Sequence, residues 1–193
     1  MRIATLFFCL FVLTGCSFKK TNYSGEYFRI VRGGKYALFN NKGVQLTRGV
    51  YENNTYPSEG YIATIKNGRW GYLDRAGNEV IPFKYKRASP FHNGLAIVYV
   101  SENRMGYIDK NDTFVIPAKF EFGKGFSEGF AAVQKDGKWG YIDKNATMIT
   151  PFKYDMVSDF KNGVAKAVYQ NGDQVFKCLI TKNGEKSCEP TNL

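Results

Sequence analysis

The side chains of this chain that could do chemistry fall into rows. The first row is acidic: Asn40, Asp74, Asp109, Asp143 and Thr181 recur at nearly constant spacing. A catalytic carboxylate pair needs two different environments to separate acid from base, whereas these residues share one local context, with Asn and Thr standing in at the ends. What all five share is an oxygen able to accept a bond from the backbone N–H two residues on, so they read as turn caps. His92 is the sole histidine and occupies a slot filled elsewhere by Pro57, Ser127 and Lys161. Alone it builds neither a triad nor a metal shell. Glu121, Asp136, Asp155 and Asp159 are read as unrepeated acids, and an enzyme reading would have to draw on them. They lie scattered in loops without a partner of the right type. No catalytic residue, metal site or cofactor is expected.

The second row is basic. Arg75, Lys110, Lys144 and Lys182 occupy one hairpin-turn slot, and Lys84, Lys119 and Lys153 a second slot just past a proline. Like charges stacked in a row form either a solubilising edge that blocks strand pairing or a track for an extended polyanion. The formal charge is +10, and removal of residues 1–15 takes away only Arg2, leaving 26 basic against 17 acidic residues, a net +9.

These rows imply elements that repeat. Ala37, Gly71, Gly106 and Gly140 are separated by 34, 35 and 34 residues, a period typical of stacked units that bury their faces only against their neighbours. Each unit reads as three short strands. The first is a small-apolar run such as Leu95-Ala96-Ile97-Val98 or Phe130-Ala131-Ala132-Val133, the second is Trp139-Gly140-Tyr141-Ile142-Asp143 and its copies, and the third is Glu79-Val80-Ile81 and its copies. Pro82, Pro117 and Pro151 lack an N–H and are expected to end the third strand. Gly43, Gly77 and Gly184 fit the left-handed position of a three-residue hairpin loop, where Asp112 and Ala146 also fall. Ala146 there should carry about 1 kcal/mol of strain. Aromatics at two slots, Tyr56, Phe91, Phe126 and Phe160, then Tyr51, Tyr85, Phe120 and Tyr154, read as the core between units.

In the last copy, two facing positions have become Cys178 and Cys188 together. Gly71 with Ile81, Gly106 with Ile116 and Gly140 with Thr150 are the expected facing pairs in the other copies. A loop closed by Thr181 and Glu185 sets 178 opposite 188 within disulfide range, and a bridge is expected.

At the start, Met1-Arg2 precedes an apolar run, Ile3 to Leu13, too short to span a bilayer. Leu13-Thr14-Gly15-Cys16 after it resembles the bacterial lipoprotein lipobox, which implies lipidation of Cys16. Ser17 next to it is similar to an outer-membrane sorting signal. The combination Gly-(Lys/Arg)-Trp-Gly-Tyr-(Ile/Leu)-Asp, then Val-Ile-Pro, then an aromatic and a Gly-Leu-Ala strand resembles the bacterial WG-repeat (KWG) family. That resemblance implies an all-β repeat module and brings no catalytic residues with it.

The expectation is therefore an all-β protein of about fifteen short strands in three-stranded antiparallel units, stacked openly and twisted, with propeller-like closure as the alternative. Residues 1–15 are a signal peptide, 16–26 a lipidated Cys and tether, and 27–190 the repeat domain. The expected role is a lipid-anchored, non-enzymatic binding or scaffold module of the cell envelope, in the outer membrane facing the periplasm if the source is Gram-negative. Its expected partners are the membrane through the lipid, and an anionic envelope polymer or acidic protein, with no nucleic acid. An envelope enzyme acting on cell-wall glycan or peptide is the alternative.

Overall fold

A computed structural model describes residues 19–21 and 26–191 of the chain. Cys16 and the expected signal peptide lie outside the described residues. Every regular element among them is a β-strand, and the strands form five small antiparallel sheets with no closed barrel. The first sheet holds β1 (Lys19–Thr21), β2 (Tyr27–Arg32) and β3 (Lys35–Asn40). The second holds β4 (Asn53–Asn54), β5 (Tyr61–Lys66), β6 (Arg69–Asp74) and β7 (Glu79–Tyr85), and the third holds β8 (Arg87–Ala88), β9 (Ala96–Ser101), β10 (Arg104–Ile108) and β11 (Phe114–Phe120). The fourth holds β12 (Phe122–Gly123), β13 (Phe130–Lys135) and β14 (Lys138–Asp143), its last strand reduced to the bridges Ile142 to Met148 and Trp139 to Tyr154. The fifth holds β15 (Met156–Val157), β16 (Val164–Asn171), β17 (Gln174–Thr181) and β18 (Lys186–Thr191). The two-residue strands β4, β8, β12 and β15 are an addition to the expected three-strand unit.

Burial follows the repeat. Instead of one core there are, among the described residues, four, each shared by two consecutive sheets. The Tyr-(Ile/Leu) pair at the centre of each unit splits between two of them, because neighbouring residues of a strand point to opposite faces. Tyr72 joins the core toward the third sheet and Leu73 the core toward the first, and Tyr107/Ile108 and Tyr141/Ile142 divide likewise. A sheet covered on both sides needs slim residues, which explains Ala63, Ala96, Ala131 and Ala132 in the first long strands. The aromatic slots are core as expected, Tyr85, Phe91, Phe120, Tyr154 and Phe160 all being buried.

The loops also match. Oδ1 of Asn40, Asp74, Asp109 and Asp143 each accepts the N–H two residues on and a second one four residues on. Thr181 differs, since its hydroxyl bonds Asn183 and the Glu185 carbonyl instead. Asp112 and Ala146 hold φ of 64° and 63°, the left-handed values taken by the glycines of the other copies.

Two expectations are corrected. Pro82 and Pro117 do not end their strands, because β7 and β11 run on to Tyr85 and Phe120. A bulge carries each proline out of the ladder, so its missing N–H costs no bond. A second irregularity nearer the hairpin loop, between Tyr72 and Leu73 and between Tyr107 and Ile108, shifts the register, so Ile81 pairs with Tyr72 and Ile116 with Tyr107, rather than with Gly71 and Gly106. In the fifth sheet no bulge intervenes. Cys178 pairs with Cys188 and the two are bonded, with Cα atoms 4.1 Å apart.

The glycine after the Trp position thereby gains a physical reason. The bulge folds a carbonyl over its Cα: a Cβ on Gly71 would stand 2.7 Å from the Ile81 oxygen, and one on Gly106 2.4 Å from the Ile116 oxygen.

Candidate functional site

Besides the caps, which bond within their own loops, a set of repeated polar groups is engaged across unit boundaries. The Tyr72 hydroxyl donates to the Ser89 carbonyl (2.7 Å), Tyr107 to Lys124 (2.6 Å) and Tyr141 to Ser158 (2.7 Å). Each bond reaches the next unit 17 residues on. Burial pushes the pKa of all three phenols well up.

A second set of bridges uses carboxylates. The two-residue turns Glu59-Gly60, Asn93-Gly94, Glu128-Gly129 and Asn162-Gly163 all hold positive φ, which suits Asn and Gly and does not suit Glu. The two glutamates reach into the following unit. Glu59 accepts the Gly94 N–H (3.1 Å) and pairs with Lys110 (3.2 Å), and Glu128 accepts from Asn162 (2.7 Å) and Gly163 (2.9 Å) and pairs with Lys182 (2.9 Å). Burial raises the Glu59 carboxyl, but Lys110 and the backbone donors outweigh it and hold it below the usual range. Lys182, then the Gly163 N–H, lower Glu128.

The basic row is thus not uniform. Lys110 and Lys182 are neutralised by glutamates, and Lys84 pairs with Asp112 at 2.5 Å. Arg75 and Lys144 are exposed, with no carboxylate in ion-pair range among the described residues. Lys119 lies over the Phe120 ring at 5.5 Å, and Lys153 over Tyr154 at 5.3 Å and Tyr169 at 3.9 Å. Desolvation, then Lys186, lowers the Lys153 pKa. The units alternate for a simple reason: Lys144 would have to find its carboxylate at position 93, where the chain carries Asn.

Of the acids read as unrepeated, Glu121 and Asp155 share a slot with Glu52, directly after the aromatics Tyr51, Phe120 and Tyr154, and each is engaged. Glu121 accepts the N–H groups of Asp136 and Gly137, both at 3.0 Å, and Asp155 bonds Lys138 and the Gln170 N–H. Asp159 lies 3.7 Å from Lys124. His92 is exposed and flanks a turn through its own backbone bonds to Leu95. Among the described residues, no group of three or more His, Cys, Asp and Glu could hold a metal ion. Sequence reasoning missed the Glu59 and Glu128 bridges, although glutamate at a turn position that favours Asn was a readable signal.

The molecule is thus a stack of β-repeats fastened by residues that recur with the repeat. A family model described as "WG containing repeat" matches residues 70–102, 105–139 and 139–173. The chain belongs to this family. A search of curated proteins found no match. Among solved structures, the chain resembles the tricorn protease at 12% identity, over 88% of this chain and 21% of that one, with a TM-score of 0.44. It also resembles PorZ of Porphyromonas gingivalis, described as a surface component of the type-IX secretion system, at 6% identity over 92% and 26%, TM-score 0.43. BBS1N in complex with ARL6DN matches at 14% identity over 94% and 67%, TM-score 0.41. The chain spans about a quarter or less of the first two.

Proposed function

We propose that this protein is a non-enzymatic binding module of the bacterial cell envelope, anchored by lipid on Cys16 after cleavage of residues 1–15. Its stack offers a basic surface to an anionic envelope polymer or an acidic protein. The observation that supports this most is the use of the carboxylates: Glu52, Glu59, Glu121, Glu128 and Asp155 are bonded to turns of the chain itself, while Arg75 and Lys144 stand exposed. A chain that carries a net positive charge and turns its acids to internal fastening presents that charge outward. Glu121 and Asp155, on which a hydrolase would draw, are already engaged, which favours binding over catalysis.

A lipid on Cys16 suits such a role, since two or three acyl chains at about 0.8 kcal/mol per buried CH₂ hold a protein on a membrane where one chain does not. Cys16→Ala should therefore block processing or release the protein, and a variant that still fractionates with membranes at mature size would refute the anchor. For the surface, a soluble form beginning at Ser17 is tested for retention on isolated envelopes across a salt series. Retention should fall steeply with salt, and fall further in Arg75→Glu/Lys144→Glu. Retention that is salt-insensitive and unchanged in that variant would overturn the reading.

A further inference from the structure

Four junctions between consecutive sheets can be compared, because at each one a hairpin loop leans on the segment that follows the hairpin of the preceding unit. At two of them the loop residue is glycine, and the backbones close up: a Cβ on Gly77 would stand 2.6 Å from the Leu46 carbonyl oxygen, and one on Gly184 2.8 Å from that of Ile149. At another, Asp112 fills the place and locks the gap, accepting the Tyr85 hydroxyl and Lys84, each at 2.5 Å. The junction between the third and fourth sheets has neither device. Its loop residue is Ala146, whose methyl group prevents the glycine approach and makes no hydrogen bond, and the counterparts of Lys84 and Tyr85 are Lys119 and Phe120.

What remains is a cavity of about 360 Å³ walled by Phe120, Ile142, Ala146, Met148 and Phe152, with Lys119 and Lys135 also lining it. Phe120 and Ile142 are buried, whereas Met148 is 56% exposed at its edge. Neither Lys119 nor Lys135 has a carboxylate in ion-pair range among the described residues, and both side chains are exposed. Apolar walls with two unpaired cations match a molecule with an apolar tail and an anionic head.

We infer that the slot between the third and fourth sheets binds a small amphiphilic anion, its alkyl chain against Phe120, Met148 and Phe152 and its head between Lys119 and Lys135. The volume falls in the usual range of small-molecule sites. The head is a carboxylate or a phosphate, the chemistry shared by fatty acids and lipid headgroups. The inference does not rest on the basic-surface proposal, since Arg75 and Lys144 take no part in the slot.

The test uses the chain from Ser17 on, which keeps every residue of the four cores, and isothermal titration with decanoate and with decyl phosphate. Comparing the two probes tells a carboxylate site from a phosphate site. Binding of either one is expected, with decanol binding about tenfold or more weakly, the equivalent of 1.4 kcal/mol. Phe120→Tyr/Ala146→Asp rebuilds the lock of the preceding junction and should abolish binding while raising the melting temperature. If that variant fails to fold, Lys119→Glu/Lys135→Glu serves on the surface alone and should weaken binding at least as much as loss of the anionic head does. Lys84→Glu, at the filled junction, should leave binding unchanged. Absence of binding by both probes, equal affinity in the rebuilt-lock variant, or binding of an acidic, apolar peptide in place of the two amphiphilic anions would overturn it.

Discussion

The glycine that follows the Trp position allows a graded test of how the repeat is built. Gly71, Gly106 and Gly140 have no left-handed φ, so their need for glycine comes from space and not from backbone conformation. An alanine Cβ at 106 would meet the Ile116 oxygen at 2.4 Å, the Ala118 nitrogen at 2.8 Å and the Pro117 carbon at 2.8 Å, all backbone. At 71 the nearest atoms are the Ile81 oxygen at 2.7 Å, then the Phe83 ring and nitrogen at 3.0 Å. At 140 they are the Thr150 oxygen and the Phe152 ring at 3.0 Å. Ring atoms can move aside, whereas a bulge held by two strands cannot. Overpacking costs about 1–3 kcal/mol, and the lower unfolded-state entropy of Ala returns about 0.4–1 kcal/mol. Gly106→Ala should therefore lose about 2–3 kcal/mol, Gly71→Ala about 1–2, and Gly140→Ala about 1 or less by the same reasoning. Urea unfolding followed by Trp70 and Trp139 fluorescence reads all three. Equal losses, or Gly140→Ala as the worst, would show that the folded-over carbonyl is not what excludes a side chain.

Three further outcomes follow from the same contacts. Tyr107→Phe keeps the ring packed on Phe126 at 5.1 Å and removes only its bond to Lys124, so a loss of about 1 kcal/mol and a melting-point drop of about 2–4 °C are expected; an unchanged transition would refute the inter-unit role. Glu59, Glu128, Asp74 and Asp155 have folded pKa values below their ordinary ones, so their stabilisation is present above the ordinary carboxylate range and is lost as pH falls through the folded values. Tyr72, Tyr107 and Tyr141 are raised above 10.0, so theirs is complete below pH 10 and is lost above it. Melting temperature measured against pH should decline on both flanks, and a flat alkaline flank would count against buried phenols. Reducing Cys178–Cys188 should destabilise the fifth sheet by about 2–3 kcal/mol, seen as a lower urea midpoint; identical midpoints with and without reductant would refute this.

The fold was largely legible because a stack uses local rules again and again. The period, the Asp caps and the left-handed loop positions concern residues within a few places of one another, and the aromatic slots showed themselves by recurrence. The cysteine pairing was readable too, since an unbulged hairpin counts register outward from its loop. The bulges at Pro82 and Pro117 were not readable: a proline can stop a strand or be set aside from its ladder, and the choice depends on whether the partner strand offers a glycine for the carbonyl to fold over. Nor were the partners of the lysines. Lys110 meets Glu59 and Lys182 meets Glu128 across a unit boundary, at sequence distances of about fifty residues, where only the twist and spacing of stacked sheets decide which tips touch. The same packing left Lys144 exposed and the Phe120–Ala146 junction open. Composition and spacing determined that units would stack; how closely each loop comes down on the strand before it is a matter of a single side chain at each junction, and only the tertiary structure decided that.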